Sequence, residues 1–137
     1  LSDDLRASVL DLLPALRDGD RLCHGDFHPG NVMLTSKGPV VIDWMTACIG
    51  NPWADFTRTS LLLTIGPKGA GKQLKPIMRL VVQLFYRSYT RRYLELLPDP
   101  QNERDKWTPI IAAARLDERI ERECEALIRM VQDGLNA

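Results

Sequence analysis

The stretch of sequence that decides the fold is HGDFHPGNVMLTSKGPVVID, residues 24–43. Its first eight residues are rich in glycine, proline and polar side chains, a composition that is typical of a loop. The apolar segments NVMLT and PVVID follow, separated by SKG at residues 36–38. Two short apolar segments joined by a tight turn that ends in glycine predict a β-hairpin. Such a hairpin would return Asp43 to the vicinity of Asn31.

Three oxygen-bearing side chains are predicted to meet at the open end of this hairpin. Asp26 and Asn31 lie five residues apart on the loop, and Asp43 ends the second strand. Hard cations such as Mg²⁺ prefer carboxylate and amide oxygens, and they keep part of their water shell for substrate phosphates. Asp26 would then be free to accept a hydrogen bond from an attacking hydroxyl. Phosphoryl transfer needs metal ions on the phosphates and a group that orients the nucleophile. This pattern offers oxygen ligands for the metal and a carboxylate for the nucleophile.

The rest of the chain is predicted to be mainly helical. Residues 21–23 form a short apolar stub before the loop. Asn51 can cap the helix that Pro52 opens, and Gly134 is expected to close the last helix. The predicted helices span residues 2–17, 52–64, 74–97, 102–116 and 118–134. The predicted fold class is therefore α+β, mostly α, with a small β-hairpin beside the loop and about five helices.

Composition and charge exclude several classes of protein. Hydrophobic residues make up 45% of the 137 residues and charged residues 26%, proportions that argue against disorder. Lys+Arg 18 balances Asp+Glu 18, so the chain lacks the basic charge of a general nucleic-acid binder. No apolar run approaches the roughly 20 residues that span a bilayer. Three cysteines without a CxxC pair favour reduced thiols and a cytoplasmic location.

The motifs resemble those of a known family. The spacing His24-x-Asp26-x-x-x-x-Asn31 is that of the protein-kinase catalytic loop, and IDW at residues 42–44 stands where that family has D-F-G. The wording HGDFHPGNVML, VVIDW and GNPWADF resembles the aminoglycoside phosphotransferase and choline kinase-like family of small-molecule kinases. The resemblance covers about residues 22–56. It implies a protein-kinase-like fold and an ATP- and Mg²⁺-dependent phosphotransferase with an alcohol group of a small molecule as acceptor.

The resemblance also implies a role for each matching residue. Asp26 would be the catalytic residue that contacts the acceptor hydroxyl. Asn31 and Asp43 would hold Mg²⁺ on ATP. His24 would brace the catalytic loop, and Asp55 would support the same loop by accepting hydrogen bonds from its backbone.

Kinases of this kind also carry a glycine-rich loop, a strand lysine and its glutamate partner, all on an N-terminal lobe. Only 23 residues precede His24, and they read as one helix and a stub. We therefore expect residues 1–137 to correspond to the C-terminal lobe, without the N-terminal ATP-binding lobe, and to be inactive alone. The first residue, Leu1, favours the same interpretation because it is not a methionine.

Two other functions remain open at the level of sequence. The chain could be a non-catalytic binding or regulatory module of the same fold. It could also be a metal-dependent hydrolase that uses His24, Asp26 and His28, although the chain has only 2 histidines to offer. The acceptor is open as well, since family members act on aminoglycosides, choline, amino sugars, homoserine and macrolides. The oligomeric state is not indicated.

Three further segments have an alternative interpretation. GPKGAGKQ at residues 66–73 nearly matches a P-loop, but Gln73 stands where a hydroxyl must reach Mg²⁺, so we predict a flexible or substrate-side loop. The tyrosines of YRSYTRRY at residues 86–93 are predicted to pack on one side of a helix rather than to bind nucleic acid. DERIERECE at residues 117–125 is predicted to be an exposed helix face. The alternative is that its acidic residues line a pocket for a cationic acceptor.

Overall fold

The computed structural model describes residues 1–66, 75–99 and 101–136. Within these ranges the chain is mostly helical with two small antiparallel sheets, as the predicted α+β class requires. The α-helices are α1 (Asp3–Leu12), α2 (Pro52–Thr64), α3 (Pro76–Leu96), α4 (Glu103–Leu116) and α5 (Glu121–Leu135). The strands are β1 (Arg21–Cys23), β2 (Val32–Thr35), β3 (Gly38–Val41) and β4 (Cys48–Gly50). None of the described helices is both long enough and apolar enough to cross a membrane.

The predicted hairpin is present, with slightly different ends. Strands β2 and β3 pair antiparallel, with Val32 opposite Val41 and Thr35 opposite Gly38. Asn31 does not belong to β2 but ends a short 3₁₀ turn, Pro29–Asn31, which leads out of the loop. The second strand ends at Val41, two residues before its predicted end, because Asp43 has a φ of 61° that a strand cannot accommodate.

A second strand pair was not predicted. Strand β1 pairs antiparallel with β4, so that Arg21 faces Gly50 and Cys23 faces Cys48. These strands have three residues each, which is too short for a periodic pattern to be recognised in the sequence. Their pairing closes residues 24–47 into a loop with a fixed base. Burial at this base raises the pKa of the Cys23 thiol to about 11, and the negative charge of Asp55 adds to the effect.

The caps of the first two helices follow from their sequences. The hydroxyl of Ser2 accepts a hydrogen bond from the backbone N–H of Leu5, and Asn51 Oδ1 accepts one from the N–H of Trp53 at 2.9 Å. Helix α1 ends at Leu12, earlier than predicted, and continues as a 3₁₀ turn that contains Pro14. Proline lacks the N–H that a continuing α-helix needs, so the helix stops there.

Helices α1, α2, α4 and α5 enclose the core. Its buried residues are Val9, Leu61, Ile65, Ala112, Leu127 and Val131. Helix α5 continues past Gly134 to Leu135, so this glycine does not close the helix as predicted. A Cβ atom at position 134 would lie 2.8 Å from the ring of Pro109 in α4. The glycine is therefore required for the close approach of α4 and α5.

Aromatic side chains fasten α3 to α2. Tyr89 stacks on Phe56 with ring centroids 5.6 Å apart, and Tyr93 lies 5.6 Å from Trp53. The Tyr93 hydroxyl donates a hydrogen bond to the carbonyl oxygen of Pro52 at 2.8 Å. Burial raises the pKa of both tyrosines. These tyrosines pack as predicted, while the near-match to a P-loop at residues 66–73 lies, apart from its first glycine, outside the described residues.

Candidate active site

Residues 24–31, which we call the catalytic-loop segment, are held at their start by Asp55 in the first turn of α2. Asp55 Oδ2 accepts a hydrogen bond from the backbone N–H of His24 at 3.1 Å, and Oδ1 accepts one from the N–H of Gly25 at 2.7 Å. Hydrogen bonds to an ionised carboxylate are stronger than those between neutral groups. Both oxygens of Asp55 therefore fix two consecutive amides of the segment.

The imidazole of His24 ties this segment to the end of the hairpin. His24 Nδ1 accepts a hydrogen bond from the backbone N–H of Asp26 at 3.2 Å, so Nε2 carries the proton and donates to Ile42 O at 3.0 Å. The ring is 4% exposed and packs against Trp44 with ring centroids 4.6 Å apart. Both ring nitrogens are thus engaged with the backbone.

This arrangement weakens the hydrolase interpretation of His24, Asp26 and His28. His24 has no free ring nitrogen, and His28 Nδ1 accepts a hydrogen bond from the N–H of Gly30 at 3.0 Å. Within the described residues, no group of three or more His, Cys, Asp or Glu side chains is placed to hold a metal ion. A catalytic zinc site needs three protein ligands of this kind.

Gly25 has a conformation and a neighbour that exclude a side chain. Its φ is +77°, in the left-handed region where other residues are strained. A Cβ atom here would lie 2.8 Å from the carbonyl oxygen of Thr46, whose hydroxyl donates to His24 O at 2.9 Å. The glycine therefore permits the turn that brings the segment against residues 44–47.

Asp26 and Asn31 are joined directly. Asn31 Nδ2 donates to the backbone oxygen of Asp26 at 2.9 Å and to its carboxylate Oδ2 at 3.3 Å. The His28 Nε2 atom lies 3.6 Å from the same carboxylate oxygen. Asn31 is buried, while the side chain of Asp26 is one third exposed. Because its nitrogen is used in these bonds, Asn31 offers its amide oxygen Oδ1 to a ligand.

Asp43 stands at the open end of the hairpin, next to Asn31 in the register. The N–H of Ile42 donates to the carbonyl oxygen of Asn31 at 2.9 Å, and Asp43 follows directly. Its φ of 61° is left-handed, a conformation that Asp and Asn tolerate better than most residues. The Asp43 carboxylate is exposed and forms no hydrogen bond or ion pair with a side chain in residues 1–66, 75–99 or 101–136.

Two residues of the site were missed by the sequence analysis. Arg58, in α2, donates from Nε to the carbonyl oxygen of Gly25 at 3.2 Å, and its Nη2 atom lies 4.0 Å from Asp26 Oδ1. The same Nη2 atom lies 2.5 Å from Glu118 Oε1. Arg58 could have been found from its spacing, because it is three residues after Asp55 and so on the same helix face. Glu118 belongs to the charge run at residues 117–125, whose acidic residues were predicted to be an exposed face or, alternatively, to line a pocket for a cationic acceptor.

The charge run at residues 117–125 is only partly the exposed face that was predicted. Arg115 donates to both carboxylate oxygens of Glu123, at 2.9 and 3.2 Å, and to Glu118 at 2.6 Å. Arg115 is 7% exposed and Glu123 2% exposed. Burial by itself would lower the pKa of Arg115, but the hydrogen bonds to Glu123 and the charge of Glu118 outweigh it and raise that pKa.

The structure therefore brings four of the five sequence-predicted site residues into one hydrogen-bonded group and leaves the fifth beside it. Asp55, His24, Asp26 and Asn31 are linked through backbone and side-chain bonds, and Asp43 is adjacent through the hairpin.

The family model described as the phosphotransferase enzyme family (APH) matches residues 1–80. This match covers more than half of the 137 residues and includes the whole group just described. The chain therefore belongs to the phosphotransferase enzyme family. Neither the curated proteins nor the solved structures contained a match.

Proposed function

We propose that this protein transfers the γ-phosphoryl group of ATP, with Mg²⁺, to a hydroxyl group of a small molecule. Membership of the phosphotransferase family supports the general reaction. The observation that carries the finer proposal is the bond between Asn31 Nδ2 and Asp26 at the end of the hairpin that also carries Asp43. It supports a role for Asp26 as the carboxylate that orients the nucleophile and for Asn31 and Asp43 as hard oxygen donors.

Asp26 is the catalytic residue in this proposal. Its backbone is held on both sides, by His24 at the N–H and by Asn31 at the carbonyl, while its carboxylate is one third exposed. An acceptor hydroxyl that donates a hydrogen bond to this carboxylate is oriented for attack and can pass its proton to Asp26. In phosphoryl transfer the protein contributes mainly positioning and charge stabilisation, so a fixed Asp26 is the essential feature.

Asn31 and Asp43 have the chemistry that Mg²⁺ requires. They offer one amide oxygen and one exposed carboxylate, both hard oxygen donors, at the same end of the hairpin. Mg²⁺ in such enzymes takes one or two carboxylates and completes its shell with water and substrate phosphates. These residues therefore fit the ion. When bound, Mg²⁺ neutralises charge on the phosphates.

The supporting roles fall to His24 and Asp55. Asp55 fixes two backbone amides of the catalytic-loop segment, and His24 connects that segment to the end of the hairpin. Neither side chain needs to contact the substrate. Both hold Asp26 and Asn31 in register with Asp43.

We further propose that residues 1–137 are the C-terminal lobe of a protein-kinase-like fold and act with an N-terminal ATP-binding lobe. Apolar side chains on and beside the two sheets support this, since Leu34 is 83% exposed and Met45 93% exposed. Two cross-strand pairs of exposed apolar residues accompany them: Met33 opposite Val40, and Leu22 opposite Ile49. Exposed apolar side chains in such numbers are typical of an interface. We expect the lobe to be inactive alone, in a cytoplasmic setting that keeps its three cysteines reduced.

The test is a phosphorylation screen of the full-length protein, with labelled ATP, against a panel of hydroxyl compounds that includes amino sugars, amino alcohols and hydroxy amino acids. With an active acceptor in hand, Asp26→Asn should lower kcat about 100- to 10,000-fold, the range of a lost general base. Asp20→Asn is the matched control, because the side chain of Asp20 is 92% exposed and its ion pair is with the exposed neighbour Arg21. A full-length protein that binds nucleotide but phosphorylates no acceptor would support the non-catalytic alternative instead.

A further inference from the structure

Arg58 and Asp55 lie on one face of α2 and form hydrogen bonds to the same residue of the catalytic-loop segment. Asp55 accepts the N–H of Gly25 at 2.7 Å, and Arg58 Nε donates to the carbonyl oxygen of Gly25 at 3.2 Å. Both polar groups of this residue are therefore bound to α2. Gly25 immediately precedes Asp26, so its orientation determines where the Asp26 side chain begins.

The other end of Arg58 faces the carboxylate of Asp26. Arg58 Nη2 lies 4.0 Å from Asp26 Oδ1, while Asn31 Nδ2 and His28 Nε2 lie 3.3 and 3.6 Å from Oδ2. The two oxygens of the carboxylate thus have different neighbours. A guanidinium can donate a hydrogen bond to the Gly25 carbonyl through Nε and at the same time direct Nη2 at the Asp26 carboxylate. The single ammonium group of a lysine cannot make both contacts.

Glu118 fixes the guanidinium of Arg58 in this orientation. Glu118 Oε1 lies 2.5 Å from Arg58 Nη2, and Glu118 Oε2 accepts a hydrogen bond from Arg115 at 2.6 Å. Arg115 is anchored in turn by the buried Glu123. A continuous chain of alternating charges therefore connects α5 with Asp26. The side chain of Arg58 is 19% exposed, so solvent screens it only partly.

We infer that Arg58 is a positioning residue for Asp26 and that Glu118 acts only through Arg58. Arg58 sets the direction of Asp26 Oδ1 while Asn31 and His28 restrain Oδ2, so that one orientation of the carboxylate is presented to the acceptor hydroxyl. The kinetic part of this inference rests on the proposed phosphotransferase function. Its structural part concerns the order of the catalytic-loop segment and does not.

The experiment compares four variants of the full-length protein: Arg58→Met, Glu118→Gln, the double variant, and Arg129→Met. The last is the matched control, since Arg129 lies on the exposed face of α5 and pairs with Glu125, four residues earlier on the same helix. Arg58→Met should lower kcat about tenfold to 100-fold with KM for Mg-ATP unchanged, because misplacing a reacting group costs rate rather than nucleotide binding. Glu118→Gln should have a smaller effect, and the double variant should be no slower than Arg58→Met.

Hydrogen exchange supplies a readout that does not depend on activity. In Arg58→Met, the amides of residues 24–31 should exchange faster, while those of α5 and of the Arg129→Met control should not change. Wild-type exchange in this segment together with a wild-type kcat would overturn the inference. Strictly additive effects in the double variant would overturn the role given to Glu118.

Two outcomes keep the proposals separate. If the wild-type full-length protein phosphorylates no acceptor, the proposed function fails, and the exchange of residues 24–31 alone decides on Arg58. If Arg58→Met does not fold, Glu118→Gln takes its place, because it keeps the shape of the side chain and one acceptor oxygen while it removes the negative charge shared by Arg58 and Arg115. Unchanged exchange and unchanged kcat in Glu118→Gln would then count against the inference.

Discussion

Gly25 shows how much of the site depends on one residue without a side chain. Its left-handed φ of +77° turns the chain, its N–H and carbonyl bind α2, and its Cα faces the carbonyl of Thr46. A side chain would be strained at this φ and its Cβ would lie 2.8 Å from the carbonyl oxygen of Thr46. The backbone geometry that precedes Asp26 is therefore available only to glycine.

We expect Gly25→Ala to destabilise the protein by more than the left-handed conformation alone costs. That conformation costs an alanine about 1–2 kcal/mol, and the 2.8 Å approach to Thr46 O forces a further backbone shift. Gly66→Ala is the control, because Gly66 has no positive φ and nothing within 4 Å of the added Cβ. Urea denaturation should show a larger loss for Gly25→Ala than for Gly66→Ala. Equal losses would show that neither the left-handed φ nor the Thr46 contact of Gly25 costs stability.

Two substitutions of Asp43 separate the effect of its charge on turnover from the effect of its backbone conformation on stability. Asn tolerates the left-handed conformation as Asp does, so Asp43→Asn should leave stability unchanged and lower Mg-ATP-dependent turnover about 100-fold, the loss typical of one removed stabilising group. Asp43→Ala should lose turnover and, in addition, about 1 kcal/mol of stability. Turnover at increasing Mg²⁺ and thermal unfolding measure the two effects. Unchanged turnover in Asp43→Asn would refute Asp43 as a metal ligand.

At the scale of the elements, capping and turn residues in the sequence correctly predicted where a helix begins and where a hairpin forms. Asn51 and Pro52 predicted the start of α2, and the Ser36–Gly38 turn predicted the β2–β3 hairpin. The β1–β4 pair was missed, because its strands are three residues long and lie far apart in sequence. Pairing of that kind depends on tertiary contacts that no short pattern records.

The charge run at residues 117–125 shows the same limit. A helical pattern of alternating charges predicts an exposed face, yet Glu123 is buried against Arg115, which lies on α4. The partner of a buried charge is chosen by how two helices pack, and the sequence does not specify that packing. The link from Glu118 to Arg58 and so to Asp26 was invisible for the same reason.

The contribution of the buried Arg115–Glu123 pair to the packing of α4 against α5 can be measured. Among the described residues, Glu123→Gln leaves Glu118 as the one charged partner of the buried Arg115 guanidinium. We expect this change to cost about 3 kcal/mol, since removing one partner of a buried ion pair is strongly destabilising. Glu125→Gln, on the exposed face of the same helix, should change stability by less than about 0.5 kcal/mol. Denaturant midpoints of the two variants provide the comparison. Similar values would mean that the Arg115–Glu123 pair adds little to the α4–α5 packing.

At the scale of the whole molecule, the described residues form a helical body with two small sheets, and the candidate site lies at the end of the β2–β3 hairpin. In the proposed two-lobe arrangement, the polar residues of the site face the phosphates, and the second lobe covers the exposed Leu34 and Met45. This distribution agrees with a lobe that completes its nucleotide site together with a second lobe.

We therefore expect residues 1–137 alone to bind Mg-ATP with a Kd above about 1 mM, measured by titration calorimetry. The full-length protein, measured under the same conditions, is the reference and should bind more tightly. A tight complex with residues 1–137 alone would contradict the proposed division between two lobes.

The ladder between β1 and β4 has a consequence for the order of folding. The β2–β3 hairpin can form from contacts between neighbouring residues, but the ladder must bring together two strands separated by the whole of residues 24–47, which makes it slow to nucleate. The bonds from Asp55 to His24 and Gly25 require, in addition, that α2 packs beside that ladder. A chain paused before this step would contain its hairpin and helices but no competent site, so activity should be the last property to return on refolding.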